Sequence, residues 1–293
     1  MALGQAGSEP RSAAAGWSRV RPFLQEVEER LGRLPTRLNE YGYDPFGFDP
    51  GYSRSLMAVM ALVYRHWFRV EATGVDRVPE GRVLLIANHA GNTFAWDGAM
   101  LGLALLLEGD PPRMVRGMAE YYLPTIPFFN VFLHRVGSVV GTPENCAQLL
   151  EHEEAIMAFP EGQRGFVKTY RQRYQLQRFG LGFLRLALET GTPIVPVGIV
   201  GSEEQSPGLA NVPALGRLIG APAFPITIGF PWFGLAGFLP LPVKFRIRFG
   251  EALHFEGDPA EDDSSIENKV EVVKDAIRKL VAEGLEARRG WFA

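Results

Sequence analysis

Val83-Leu84-Leu85-Ile86-Ala87 is a short apolar run of strand character, and it ends at Asn88-His89-Ala90-Gly91-Asn92. Asp97 then opens an apolar stretch from Ala99 to Leu107, so the chain passes from a strand to a helix across a polar connection. Strands and helices keep alternating from Val83 onward. That alternation predicts an α/β fold with a largely parallel central sheet flanked by helices and with active-site residues at strand ends. His89 lies on such a connection, where catalytic groups are commonly carried.

A neutral imidazole takes a proton from an alcohol, and a carboxylate on its other ring nitrogen fixes the tautomer and stabilises the cation that forms. His89 with Asp97 forms a candidate pair of this kind. Downstream, Ala155 to Phe159 reads as a second strand, ending in Phe159-Pro160-Glu161-Gly162-Gln163-Arg164. The planar fork of Arg164 suits phosphate recognition. Taken singly, a histidine at a strand end is often structural, and Pro-Glu-Gly is an ordinary turn. The six-residue string is longer than a turn requires.

These residues resemble the glycerolipid acyltransferases, typified by 1-acylglycerol-3-phosphate acyltransferase. The ordered features are Asn88-His89, Asp97, Phe159 to Arg164, and the strand-like Pro193-Ile194-Val195-Pro196-Val197, within a region of resemblance from about residue 69 to 255. The family sets its His and Asp closer together; its acidic position matches Phe94 here, and Asp97 lies three residues beyond. With no other acid between Glu80 and Glu108, Asp97 is expected to reach the imidazole across a longer loop. The family's middle block carries an arginine after a Gly-aliphatic strand. Here Gly137-Ser138-Val139-Val140 leads to Gly141, Arg135 comes before it, and no phosphate ligand is carried over from that block. The resemblance implies catalysis by His89 and Asp97, with Glu161, Gly162 and Arg164 as acceptor-binding residues and Arg164 on a phosphate.

The chain is 46% hydrophobic and 11% aromatic, the composition of a globular protein, and its net charge of −3 excludes a generally basic nucleic-acid binder. Between Glu161 and Glu189 every charged side chain is basic: Arg164, Lys168, Arg171, Arg173, Arg178 and Arg185. Such a run is a solvated face, or it holds a lysophospholipid headgroup, the phosphates of coenzyme A or an anionic membrane surface. Cys146 is the only cysteine, which excludes an internal disulfide, and its place at a helix start reads as a partly buried thiol. The histidines at 66, 89, 134, 152 and 254 lack metal-ligand spacing, so no metal is predicted. Gly180-Leu181-Gly182 is not a dinucleotide fingerprint, and there is no Gly-x-Ser-x-Gly elbow of an α/β-hydrolase.

Residues 1–16 read as a disordered lead without a secretory pattern, residues 17–68 as an N-terminal helical region, and residues 69–293 as the acyltransferase domain. Pro22 to Arg33 has amphipathic helical periodicity, and Tyr41 to Pro50 is an aromatic turn segment that reads as a linker packed on the domain. Leu56 to Val63 is apolar but too short to span a bilayer, and reads as an interfacial helix or as a core-packed helix with a polar end. Proline density bars Ala221 to Val243 from forming one helix; this apolar block is expected to line an acyl-chain tunnel, dip into the membrane interface or cover the core. Part of it, Phe230 to Lys244, resembles more weakly the branch that forms diacylglycerol and phytyl esters. Phe245 to Gly250 alternates as an edge or half-buried strand, and Ser264-Ser265-Ile266-Glu267 reads as a capping box for a terminal helix.

The function expected is transfer of a fatty acyl group from an acyl thioester to a lysophospholipid hydroxyl, with 1-acylglycerol-3-phosphate as acceptor. No cofactor is expected beyond the thioester co-substrate, carried on coenzyme A or acyl carrier protein. Peripheral attachment on the cytoplasmic side of a membrane follows from the resemblance. Two alternatives stand beside this: a neutral acceptor such as a mono- or diacylglycerol, and a non-catalytic lipid-binding protein in which the longer His89–Asp97 loop has broken the pair.

Overall fold

A computed structural model describes residues 11–35, 38–92, 94–218 and 224–293, with side chains described from residue 21 onward except at 218. In chain order the helices and strands are α1 (Arg11–Gly32), α2 (Pro50–Leu62), β1 (Glu71–Thr73), β2 (Val83–Ala87), α3 (Trp96–Glu108), β3 (Val115–Ala119) and α4 (Phe129–Arg135). Then come β4 (Val139–Val140), α5 (Pro143–Glu151), β5 (Ala155–Ala158), α6 (Gln163–Phe166), α7 (Gly182–Thr190), β6 (Ile194–Val200) and β7 (Gly208–Asn211). The last are α8 (Pro213–Leu218), β8 (Pro225–Thr227), β9 (Arg246–Phe249) and α9 (Asp263–Glu286).

Seven strands form the central sheet in the order β1-β9-β6-β2-β5-β3-β4. β6, β2, β5, β3 and β4 are parallel, while β9 runs antiparallel to β6 and parallel to β1. The expected mostly parallel sheet flanked by helices is therefore present. Every residue of β2 is buried, as befits a parallel strand covered on both faces. Val83, Leu85 and Ala87 point to a core shared with α1, α2 and α3; Leu84 and Ile86 point to a second core with α5, α7 and α9. Helix α3 is apolar nearly all round because it is enclosed between the sheet and the two N-terminal helices.

Several local expectations change. Of the proposed disordered lead, residues 1–10 lie outside the described residues, whereas 11–16 form the first turns of α1. The strand at 246–249 is no edge: it lies between β1 and β6 and is almost wholly buried, because the three-residue β1 pairs along its outer side. Helix α9 starts earlier than the serine box implies. Asp262 is its N-cap, accepting from the Ser265 N–H at 3.0 Å. Tyr41 to Pro50 does pack on the domain as expected, for Asp44 caps its own turn through the Phe46 and Phe48 N–H groups and receives Arg116 Nη2 at 2.6 Å. Burial works against the Arg116 charge, but Glu154 and Asp44 outweigh it and raise the guanidinium pKa.

α2 packs on α1 and α3, burying Ala61 and leaving Tyr52 and Val59 exposed. Among the described residues no helix is long and apolar enough to cross a membrane. Of the proline-rich block, residues 221–223 lie outside the described residues. The remainder pairs β8 with β7 in a separate two-stranded antiparallel sheet and continues as a flap held by Phe230 stacked on Phe238 at 4.1 Å. Trp232, Phe233, Leu235 and Leu239 are exposed on this flap, so those residues do not cover the core.

Candidate active site

Parallel strands deliver their following loops to one edge of the sheet, and β6-β2-β5-β3 form its centre. His89 follows β2 and Glu161 follows β5, so the two sequence signals meet there. His89 Nδ1 lies 2.7 Å from Asp97 Oδ2. The longer loop is absorbed by a left-handed turn at Asn92 (φ 59°) and by the Trp96 N–H donating to the Phe94 carbonyl at 2.8 Å, which returns the chain to Asp97 in the first turn of α3. The observation that would have favoured a broken pair, a distant Asp97, is not what the structure has.

Asp97 is fully buried, accepts the Ala90 N–H at 2.8 Å on Oδ2 and that of Gly98 at 2.9 Å on Oδ1. It also sits at the positive end of the helix dipole. A carboxylate can only accept, so Nδ1 of a neutral imidazole must donate to it, leaving Nε2 with the free lone pair. The ring is stacked on Phe159 at 4.3 Å and flanked by Phe166 at 5.3 Å.

The loop itself is clamped from beneath. Asn88, fully buried, exchanges two amide hydrogen bonds with the Ile199 backbone of β6, at 2.9 and 2.8 Å. Glu161 Oε1 accepts the His89 N–H at 2.8 Å, while Oε2 accepts the Gln177 N–H at 2.8 Å and lies 3.4 Å from Lys168 Nζ. Expected at the acceptor site, Glu161 is thus a buried carboxylate with both oxygens engaged inside the protein. Gly162 adopts φ +54°, a left-handed region that favours glycine, as it starts α6. Arg164 is exposed on α6 and has no ion-pair partner among the described residues.

The basic run does not form one face. Lys168 is buried and donates to Glu203 Oε1 at 2.9 Å; Arg178 pairs with Glu267 and Arg185 with Asp263 at the start of α9; Arg173 lies over the Tyr170 ring. Sequence reasoning missed the polar segment 202–206 altogether. All five residues, Ser202-Glu203-Glu204-Gln205-Ser206, are buried directly after β6. The available signal was a polar run at the end of an apolar strand, the same signal that singled out His89. Gln205 Nε2 donates to the Gly91 carbonyl at 2.8 Å and Asn92 Nδ2 to that of Ser206 at 3.0 Å, tying this segment to the His89 loop. Burial raises the Glu203 carboxyl pKa, with Lys168 opposing and Glu161 adding to the rise. Tyr174 donates to Glu204 at 2.5 Å, and burial with that neighbour pushes its hydroxyl pKa well up. Beside the segment, a cleft of about 290 Å³ opens against the flap, lined by Gln205, Ser206, Ile228, Phe233, Leu239 and neighbouring residues. Burial, with Glu144 adding to it, pushes the Cys146 thiol up to about 11, which suits a packed side chain. Among the described residues no group of three or more His, Cys, Asp or Glu is placed to hold a metal ion.

The family model described as Acyltransferase matches residues 69–200, the span that carries the His89 loop, Glu161 and β6. A Mycobacterium leprae protein described as uncharacterized is 37% identical, over 92% of this chain and 75% of its own length. The chain belongs to the acyltransferase family. More distant relatives of this acyltransferase include a mouse protein described as a DGAT1/2-independent enzyme synthesizing storage lipids, 25% identical over 73% of this chain and 60% of its own. A probable 1-acyl-sn-glycerol-3-phosphate acyltransferase of Mycoplasma pneumoniae is 29% identical over 49% of the chain and 54% of its own. The fold is similar to that of the 1-acyl-sn-glycerophosphate acyltransferase PlsC from Thermotoga maritima, with a TM-score of 0.50 at 20% identity, covering 83% of this chain and 85% of that one.

Proposed function

We propose that this acyltransferase moves a fatty acyl group from an acyl thioester to the hydroxyl of a lysophospholipid, with 1-acylglycerol-3-phosphate as the acceptor. The observation that carries the reading is the 2.7 Å contact between His89 Nδ1 and the buried Asp97 carboxylate. His89 Nε2 takes the acceptor's hydroxyl proton, the alkoxide oxygen attacks the thioester carbonyl, and the tetrahedral intermediate expels the thiolate. The imidazolium returns its proton to that thiolate, so the products are an ester and a free thiol and no acyl-enzyme forms. Asp97 fixes the tautomer and stabilises the imidazolium. Arg164, exposed on α6 three residues after Glu161, supplies the phosphate contact, while Glu161 acts through the His89 backbone. The thioester carrier, coenzyme A or acyl carrier protein, and a peripheral position on the cytoplasmic side of a membrane belong to the same proposal.

Thiol release from palmitoyl-coenzyme A, with and without lysophosphatidic acid, tests it. Acceptor-dependent release in the wild type that disappears in His89→Ala is the expected result; release independent of acceptor and of His89 would overturn it. One observation favours a second reading with a neutral mono- or diacylglycerol acceptor. Three of the six basic residues, Lys168, Arg178 and Arg185, are already neutralised by carboxylates, and the cleft beside the His89 loop is mainly apolar. Arg164→Ala separates the two: selective loss on the phosphorylated acceptor supports the first reading, and equal rates on both acceptors support the second.

A further inference from the structure

We propose that the protein docks on an anionic phospholipid bilayer through two apolar loops that bracket the active site, the segment 121–131 and the flap 228–239, and not through its N-terminal helices. This rests on the lipid-acyltransferase reading for its purpose, but its evidence is separate. β3 and β6 stand on either side of the β2–β5 pair and run parallel to it, so their following loops emerge at the same edge as His89, one on each flank. The segment after β3 presents Tyr121, Ile126 and Phe128, and Val131 in the first turn of α4, with Phe128 88% exposed on a left-handed backbone (φ 64°). On the other flank the flap is tied to the segment after β6, the Ile228 N–H donating to the Pro207 carbonyl at 3.1 Å and the Leu241 N–H to that of Gln205 at 2.7 Å, and it presents Trp232 at 68%, Leu235 at 84% and Leu239 at 71% exposure. Phe94, in the His89 loop between them, is also exposed.

Single exposed apolar side chains need no explanation, but clusters of large ones on two loops at the rim of one site do. Their charge surroundings identify the partner. From Gln205 to Gly250 the chain has no Asp or Glu, and from Pro111 to Pro143 only Glu120. Arg164, Arg171 and Arg217 are exposed, without a carboxylate partner among the described residues. Large apolar and aromatic side chains with arginines nearby and few acids suit the headgroup and upper acyl region of a negatively charged leaflet. The flap is braced for such a load: Trp67 Nε1 donates to the Pro240 carbonyl at 3.2 Å and Arg69 Nη2 to that of Pro242 at 2.8 Å. An acceptor lipid would then reach His89 from the bilayer without crossing water.

Co-sedimentation of the full chain with vesicles of phosphatidylcholine and phosphatidylglycerol tests the assignment. The wild type is expected to bind, and to bind less as salt rises or when phosphatidylglycerol is omitted. The triple variant Phe128→Ser, Trp232→Ser, Leu235→Ser should lose at least about tenfold in vesicle affinity, a modest part of what three buried large apolar groups contribute. Tyr52→Ser with Val59→Ser, on α2, should leave it within about twofold. Retained binding in the triple variant, or loss confined to the α2 variant, would overturn the proposal. All three side chains are largely exposed, so folding is expected to survive, which circular dichroism checks. Turnover of a short-chain, water-soluble acceptor is expected to persist in the triple variant. If the wild type turns over no acceptor yet binds vesicles through these loops, the catalytic reading fails and the docking surface stands.

Discussion

Asp97 differs from an ordinary hydrogen-bond partner because its charge and its acceptor-only chemistry dictate which nitrogen of His89 carries the proton. An asparagine in its place would occupy the same volume but offer an amide, which can equally donate to Nδ1 and leave the proton on Nε2, the nitrogen proposed as the base. Asp97→Asn is therefore expected to lower kcat by about 10³–10⁴ with little change in KM, as loss of tautomer control does in a catalytic triad. Steady-state kinetics on the acceptor that supports wild-type turnover checks this, and a decrease of only a few-fold would remove Asp97 from the mechanism. The pair was legible in the sequence because its members are eight positions apart on one strand-to-helix connection, and no other acid lies nearby. The inward role of Glu161 was not legible. The turn sequence places the carboxylate near the strand end, but whether it faces solvent or the His89 N–H depends on α6 folding back over it. Gly165 is what allows that fold: a Cβ there would stand 2.7 Å from the Glu161 Cβ and 2.9 Å from the His89 Cβ.

Helix ends show how local chemistry is decided between close neighbours in the chain. Ser264 to Glu267 has the spacing of a capping box, yet the backbone turns into α9 at Asp262, whose side chain takes the Ser265 N–H at 3.0 Å. An aspartate both caps and opposes the positive end of the helix dipole, so it outcompetes a serine two residues later. Asp262→Ala is expected to cost about 1 kcal/mol and Ser264→Ala close to nothing, as read from urea midpoints. The reverse order would restore the serine box. Body and register of α9 were readable, because Ile266, Val270, Val273 and Ile277 recur at helical spacing and are all buried. Strand β9 was readable as a strand but not as an interior one, since its outer neighbour β1 is a three-residue segment far away in sequence. The flap shares that limit: proline spacing forbids a helix, and only the pairing of β7 with β8 fixes what forms instead.

Across the whole molecule, buried charges join the two halves of the site edge. Lys168, from the β5 side, reaches Glu203 after β6 at 2.9 Å and lies 3.4 Å from Glu161, which holds the His89 N–H. No sequence pattern announces a pair 35 positions apart; Lys168 looked like one more member of a basic run until the fold enclosed it. Removing one member of a buried pair leaves the other's charge uncompensated, so Lys168→Met is expected to destabilise the fold by about 3–5 kcal/mol at neutral pH. The pH dependence has a definite sign. Burial already raises the Glu203 carboxyl pKa in the folded protein and Lys168 opposes that rise, so the variant raises it further. A carboxyl raised in the folded state favours folding fully below its unfolded pKa of about 4.3, and that contribution is lost as pH rises through the folded value. The deficit of Lys168→Met relative to wild type should therefore shrink as pH falls from neutral toward about 4, where the freed carboxyl takes up a proton instead of remaining charged. Urea denaturation of both proteins at neutral and mildly acidic pH measures it. A deficit independent of pH would mean that Lys168 acts through its packed alkyl chain, and that its charge does not hold the two halves together.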